Sequence, residues 1–182
     1  SQAESGTVIA LEPRTGEVLA LASYPGFNPN NSETFSVANM RNRAITDAFE
    51  PGSTFKMITA AAALEEQIID TSDRFNGFNG QLQFAEYTIR DVHPLGIVPF
   101  SEAMIQSSNI VLSNVAAKIP DTKFYKYMRD FGFGIVSGID IPGEISGRIP
   151  RATQMNNTAK RFAGFGYGLM CTPIQIANAY ST

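Results

Sequence analysis

The chain has one cysteine and one histidine in 182 residues, and these two scarcities remove whole classes of chemistry. Cys171 has no partner for an internal disulfide, and together with His93 it is too little to build a His/Cys metal cluster. Neither a metal nor an organic cofactor is called for. Positive charge is scarce as well: 14 Lys and Arg against 17 Asp and Glu leave a formal net charge of -3, without the basic stripe that marks a nucleic-acid binder. No apolar run approaches the roughly 20 residues that cross a bilayer, and the start shows no signal-peptide pattern. An initiator methionine is also missing. The sequence opens at Ser1 and stops at Thr182 inside the apolar run TPIQIANAYST, so it reads as a piece of a longer protein.

What is there is a chain with 43% hydrophobic residues, enough to bury the core of one domain or of a large part of one. No internal repeat or low-complexity tract interrupts it. GTVIALEPRTGEVLALAS predicts a hairpin, with strands Thr7 to Leu11 and Glu17 to Ala22 around a turn that holds Pro13 and Gly16. YPGFNPNN, from Tyr24 to Asn31, predicts loop. Pro51 and Gly52 then break the chain, and Lys56, Met57 and the alanines at 60 to 63 predict a helix from about Ser53 to Gln67. Asp70 to Pro99 reads as loop with a small hairpin around Gln81 to Ile89. Phe100 to Lys118 predicts two helices that meet at Ser107-Ser108-Asn109. Asp121 caps a further helix in which Phe124, Tyr127, Met128 and Phe131 form a core stripe, ended by Gly132. Phe133 to Arg151 reads as Gly- and Pro-rich loop. Gly164, Gly166 and Gly168 lack the spacing of a phosphate loop and read as a tight turn, and Thr172-Pro173 opens a last helix. The fold class is mixed α/β, mostly helical with an N-terminal β-hairpin.

Two short spacings carry chemistry. In EPGSTFK the hydroxyl of Ser53 and the amine of Lys56 sit three residues apart, on one face of the predicted helix. A serine hydroxyl is a poor nucleophile near neutral pH and needs a proton acceptor, a role a lysine fills once burial or nearby positive charge lowers its pKa. The unpaired N–H groups of a first helical turn would favour an oxyanion forming there. Ser-x-x-K also arises by chance about once in a chain of this length, with Ser53 an N-cap and Lys56 solvated as the alternative. In the second spacing, Ser107 and Asn109 place a hydroxyl and a carboxamide on a polar corner between apolar faces, able to relay a proton and hold an amide. Its alternative is an ordinary capping turn. The two spacings in this order, about fifty residues apart, are more specific than either alone. Among the other reactive side chains, His93 reads as structural or exposed and Cys171 as a small core residue. Arg41 and Arg43 read either as surface charges or as braces for the loop before Ser53.

With those motifs and the flanks RNRAITDAFEPGSTFKMITAAAALE, SEAMIQSSN and FGYGLMCTPIQIANAYST, the chain resembles the class B, monofunctional penicillin-binding proteins. RNRAITDAFEPGSTFK and FGYGLMCTPIQ are most similar to their division-type, septal transpeptidase branch. The resemblance implies a penicillin-binding transpeptidase domain of serine β-lactamase-like fold, spanning residues 1–182 as its N-terminal part, with the C-terminal sheet strands missing. It implies that Ser53 is the acyl-forming nucleophile, Lys56 its proton acceptor, Ser107 the proton shuttle, and Asn109 the residue that holds the substrate amide. The substrates it implies are peptidoglycan stem peptides ending in D-Ala-D-Ala, with β-lactam antibiotics acylating the same serine. The parent would stand at the extracytoplasmic face of the bacterial cytoplasmic membrane on an N-terminal helix and associate with the division machinery. No Lys-Ser/Thr-Gly follows Ser107; in the family that strand adds an oxyanion-hole N–H, and losing one such donor slows acyl transfer about 10²- to 10³-fold. Activity is therefore expected of the longer parent. Two strands are too few to shield a sheet, so a companion chain or another copy is expected along the hairpin. Rival readings are a class D β-lactamase-like or β-lactam sensor domain, and a non-catalytic binding domain of the same fold.

Overall fold

In chain order the elements are β1 (Gly6–Leu11), β2 (Val18–Tyr24), α1 (Val37–Met40), α2 (Arg43–Thr46), α3 (Lys56–Glu65), β3 (Arg74–Asn76), β4 (Gln81–Phe84), β5 (Tyr87–Arg90), β6 (Ile97–Pro99), α4 (Phe100–Ile105), α5 (Asn109–Lys118), α6 (Asp121–Asp130), α7 (Asn157–Ala163) and α8 (Pro173–Tyr180). This computed structural model describes residues 3–182. The chain divides into two compact units, one made of residues up to 49 with 131–148 and 170–182, the other of residues 50–130 with 149–169.

The first unit is built on the predicted hairpin. β1 and β2 pair antiparallel from Gly6 opposite Tyr24, with a register slip at Ala10/Leu11. Alternation sends Ile9, Leu11 and Leu21 onto a buried cluster of Ala44 and Ile45 from α2 and Ile174 from α8, while Val8 and Leu19 stay exposed. β2 continues to Tyr24, two residues beyond the expected end, because its pairing with Gly6 and Thr7 outlasts its apolar run. The short helices α1 and α2 were not expected. Each starts at a polar cap, Ser36 and Asn42, whose side-chain oxygen accepts a backbone N–H inside the first turn. The choice left open for Arg41 and Arg43 resolves here: both guanidiniums bind the Asp47 carboxylate, at 2.5 and 2.9 Å, and brace the end of α2.

α8 begins as expected, with Thr172 as N-cap and Pro173 at the first position. A full capping box is present, in which Gln175 Oε1 accepts the Thr172 N–H at 2.9 Å. The buried Gln175 amide also donates to the carbonyls of Ile135 and Ser146, at 2.7 and 2.9 Å, and so pins the Gly- and Pro-rich loop to the helix. Gln175→Leu removes three hydrogen bonds of a buried side chain without removing their partners. It should lower stability by about 2 to 3 kcal/mol in urea unfolding, with m unchanged if the loop is loosened but not unfolded in the native state.

In the second unit α3 packs against α5 and α6, and α5 packs against α7. Alanines at 62 and 63 of α3 and at 116 of α5 are fully buried beside Ile58, Leu112 and Val115, and small side chains allow close helix approach. Phe55 meets Phe124 of α6 edge-on, with centroids 6.4 Å apart. Phe124 and Met128 are the fully buried part of the expected α6 stripe. The region read as loop holds the expected hairpin, β4 with β5, together with a second antiparallel pair, β3 with β6, that was not expected. α7 was also missed; its start is capped by the Asn156 side chain.

Candidate active site

Ser53 lies in a 3-10 turn, Gly52–Phe55, that runs directly into α3 at Lys56. This corrects the expectation that Ser53 occupies the first turn of the α-helix itself. Pro51 sets a helical φ, and Gly52 at φ +56° adopts a left-handed conformation that side chains resist. With three residues per turn, side chains at i and i+3 eclipse, so the tighter turn aligns Ser53 with Lys56 more closely than an α-helix would. The Lys56 N–H donates to the Ser53 carbonyl and closes that turn. Ser53 is exposed, whereas Lys56 is only 3% exposed.

The glycine run read as a tight turn is a packing device. The Gly52 N–H donates to the Gly166 carbonyl at 3.0 Å, and a Cβ on Gly166, at φ +88°, would fall 2.0 Å from the Gly52 oxygen. Thr59 of α3 holds the same run by donating to the Gly164 carbonyl at 2.9 Å. Glu50 accepts the Gly168 N–H at 2.8 Å. Gly166→Ala therefore drives a methyl group into the backbone of Gly52, the residue before Ser53. A loss of about 3 kcal/mol is expected in thermal or urea unfolding, and a near-neutral result would show that the turn carrying Ser53 can shift freely.

The second motif closes on the first. Lys56 Nζ donates to the Ser107 carbonyl at 2.5 Å and to Ser107 Oγ at 2.9 Å. Ser107 sits between α4 and α5 at φ +54°, a left-handed conformation that persists in a non-glycine residue only where its surroundings enforce it. Burial drives the Lys56 amine down to about 8, and the negative charge of Asp91 partly opposes that fall. Among the described residues no hydrogen bond joins Ser53 Oγ to Lys56. The structure thus unites Lys56 with Ser107 directly and presents Ser53 free on the same helical face.

Asn109, the first residue of α5, donates from Nδ2 to the Arg90 carbonyl at 2.8 Å. It stands two residues from Ser107 but is tied to the end of β5 and not to the lysine. Ser108 between them is fully buried and caps α5: its Oγ accepts the Val111 N–H at 3.0 Å and donates to Asp91 Oδ2 at 2.6 Å. Asp91 was not singled out from the sequence, since Asp-Val-His reads as loop and its partners lie far along the chain. His93 is exposed. Cys171 is buried, its thiol pushed up to about 12 by burial, which suits a core residue. Among the described residues no group of His, Cys, Asp and Glu has the arrangement of a metal site, and none of the helices is long and apolar enough to cross a membrane.

The family described as penicillin binding protein transpeptidase domain matches residues 6–182. A probable peptidoglycan D,D-transpeptidase, PbpC, of Pseudomonas aeruginosa is 35% identical over 179 residues, 98% of this chain and 32% of its own length. The peptidoglycan D,D-transpeptidase FtsI of Escherichia coli is 35% identical over 182 residues, all of this chain and 31% of its own length. The chain thus spans about a third of these curated relatives. Among solved structures, a transpeptidase domain of penicillin-binding protein 3 from Burkholderia pseudomallei superposes with a TM-score of 0.87 at 27% identity, covering 98% of this chain and 50% of that one. A protein described as a peptidoglycan glycosyltransferase from Burkholderia ambifaria gives a TM-score of 0.88 at 28% identity, covering 99% and 53%.

Proposed function

Because the chain belongs to the penicillin-binding protein transpeptidase family, we propose that it is the Ser-x-x-K and Ser-x-Asn part of a peptidoglycan D,D-transpeptidase with Ser53 as its acyl carrier. The observation that carries this reading is the buried Lys56 amine, hydrogen-bonded to Ser107 on the face that presents Ser53 and lowered by burial to a pKa of about 8. In the first step Ser53 Oγ attacks the carbonyl of the penultimate D-Ala, and its proton passes to Lys56. The new O–C bond forms as the amide C–N bond breaks, and the terminal D-Ala leaves with a proton relayed through Ser107. Asn109 holds the stem amide at the other side of the corner. An amine of a neighbouring stem then attacks the ester, restoring the serine and forming the cross-link. A penicillin enters the first step alike, but its opened ring stays tethered and blocks the second.

The division role belongs to the same proposal and rests on the flanks of Ser53 and on FGYGLMCTPIQ. So do an extracytoplasmic site of action and an N-terminal membrane helix in the longer protein. A companion strand or second copy along the exposed face of β1 and β2 also belongs to it, and its test is the mass of the full-length protein in solution.

Intact-mass spectrometry of the full-length protein after incubation with benzylpenicillin, followed by peptide mapping, tests the central claim. A stable adduct of one whole penicillin on Ser53 supports it. An adduct that hydrolyses within minutes would mean a β-lactamase, and no adduct would mean a binding domain of the same fold.

A further inference from the structure

We infer that Asp91 is a positioning residue for the Ser53 chemistry, holding the Ser107–Asn109 corner in place against the Lys56 amine. The inference rests on the acyl-serine reading above and adds to it a residue outside the two motifs.

Three consecutive residues of the corner are gripped by two consecutive residues at the end of β5. Asp91 Oδ2 accepts from Ser108 Oγ at 2.6 Å and Asp91 Oδ1 accepts from the Ile110 N–H at 3.0 Å. The adjacent Arg90 carbonyl accepts from Asn109 Nδ2 at 2.8 Å. The carboxylate thus satisfies an orphan N–H at the start of α5 and places negative charge at the positive end of that helix. Immediately before this clasp stands Ser107 at φ +54°, a conformation that needs external support, and Ser107 offers both its carbonyl and its hydroxyl to Lys56. Chain strain, clasp and lysine are therefore contiguous: Asp91 fixes Ser108 and Ile110, these fix Ser107, and Ser107 fixes the amine.

The carboxylate acts on Lys56 through its field as well as through the backbone. The rest of the corner facing the amine, Ser107, Ser108 and Asn109, is uncharged. In the chain Asp91 is flanked by Arg90 and by the exposed His93. Of the helices packed on α3, α5 carries Lys118 at its far end and α6 carries Asp121, Lys123, Lys126, Arg129 and Asp130. Among the described residues it is the negative charge of Asp91 that opposes the effect of burial on Lys56. Neutralising it with the clasp intact should make the amine easier to deprotonate.

The test uses the full-length protein and two variants. Asp91→Asn keeps the shape, with one oxygen left to accept the Ile110 N–H, and removes the charge. Asp91→Ala removes both. Second-order acylation rates by a fluorescent penicillin are measured from about pH 5 to about pH 10, with melting temperatures as a folding control. In parallel, NMR of 13C-labelled lysine follows the Lys56 titration directly, independent of any acylation. Asp91→Ala is expected to slow acylation about 10- to 100-fold at the wild-type optimum. Asp91→Asn is expected to stay within several-fold of wild type at its own optimum while its acidic limb and the Lys56 titration both move to lower pH. A corner that is merely structural would lower stability and rate without moving that limb. The inference is overturned if the limb and the titration stay put in Asp91→Asn, or if folded Asp91→Ala acylates at the wild-type rate. Absence of a Ser53 adduct in the wild-type protein would instead strike the acyl-serine reading, and the lysine titration would then decide the Asp91 effect alone.

Discussion

Ser53→Ala is expected to lose the penicillin adduct altogether, a fall in acylation rate of at least about 10⁴-fold, while melting within about a degree of the wild type. The kinetic half follows from the proposed mechanism, in which Ser53 supplies the attacking oxygen, because removal of a nucleophile from an acting unit forfeits most of its rate. The stability half follows from the geometry. Ser53 is exposed, and among the described residues its hydroxyl makes no hydrogen bond, so the turn is held by Gly52, the Lys56 N–H and the Gly166 carbonyl instead. Surface changes of that kind stay within about 0.5 kcal/mol. The competing reading of Ser53 as a helix cap predicts the opposite pattern, a loss of about 1 kcal/mol with no adduct in either protein. One pair of measurements, intact mass and thermal melting, therefore separates the two.

Lys56→Met should slow acylation by about 10³-fold or more and flatten its pH dependence. In the proposed mechanism the neutral amine accepts the serine proton. With a pKa of about 8, only about a tenth of the lysine is neutral at pH 7, so the rate should climb about tenfold per pH unit below that value and level off above it. The sign for stability is separate. An unfolded-state lysine stays protonated up to its ordinary value of 10.5, so between about 8 and 10.5 the unfolded chain binds more protons than the folded one and stability rises with pH. Below that window the buried charge burdens the fold. Methionine lifts the burden at the expense of two hydrogen bonds to Ser107, an exposed residue whose oxygens water can satisfy. Melting at pH 7 should be no lower than in wild type. A variant that retained the rising limb near pH 8 would show that another group takes the proton.

What the sequence disclosed was whatever neighbouring residues decide among themselves. The Ser53 and Lys56 spacing, the Ser107 to Asn109 corner, the α8 start at Thr172 and Pro173, and the β1–β2 hairpin each depend on residues within a few positions of one another. The missed features depend on distant partners. β3 and β6 are three residues long and exist only because Phe75 pairs with Val98 across an intervening hairpin. Asp91 caps a helix from outside it, where no capping pattern in the chain points to it. Gly166 has a turn's appearance, yet what forbids a side chain there is the Gly52 carbonyl, contributed from far earlier in the chain. The 3-10 geometry at Ser53 was hidden by the high helix propensity of the residues after it, which says nothing about how tightly the first turn winds.

The state of Cys171 makes the chain a convenient frame for spectroscopic reporters. Its sulfur is fully buried with the thiol pushed up to about 12, so at the near-neutral pH used for maleimide coupling the nucleophilic thiolate is both rare and shielded. A second cysteine placed at Ile105, 75% exposed at the end of α4 and two residues before Ser107, would be the thiol that reacts. A fluorophore or spin label there would watch the corner during acylation without the native cysteine having to be removed.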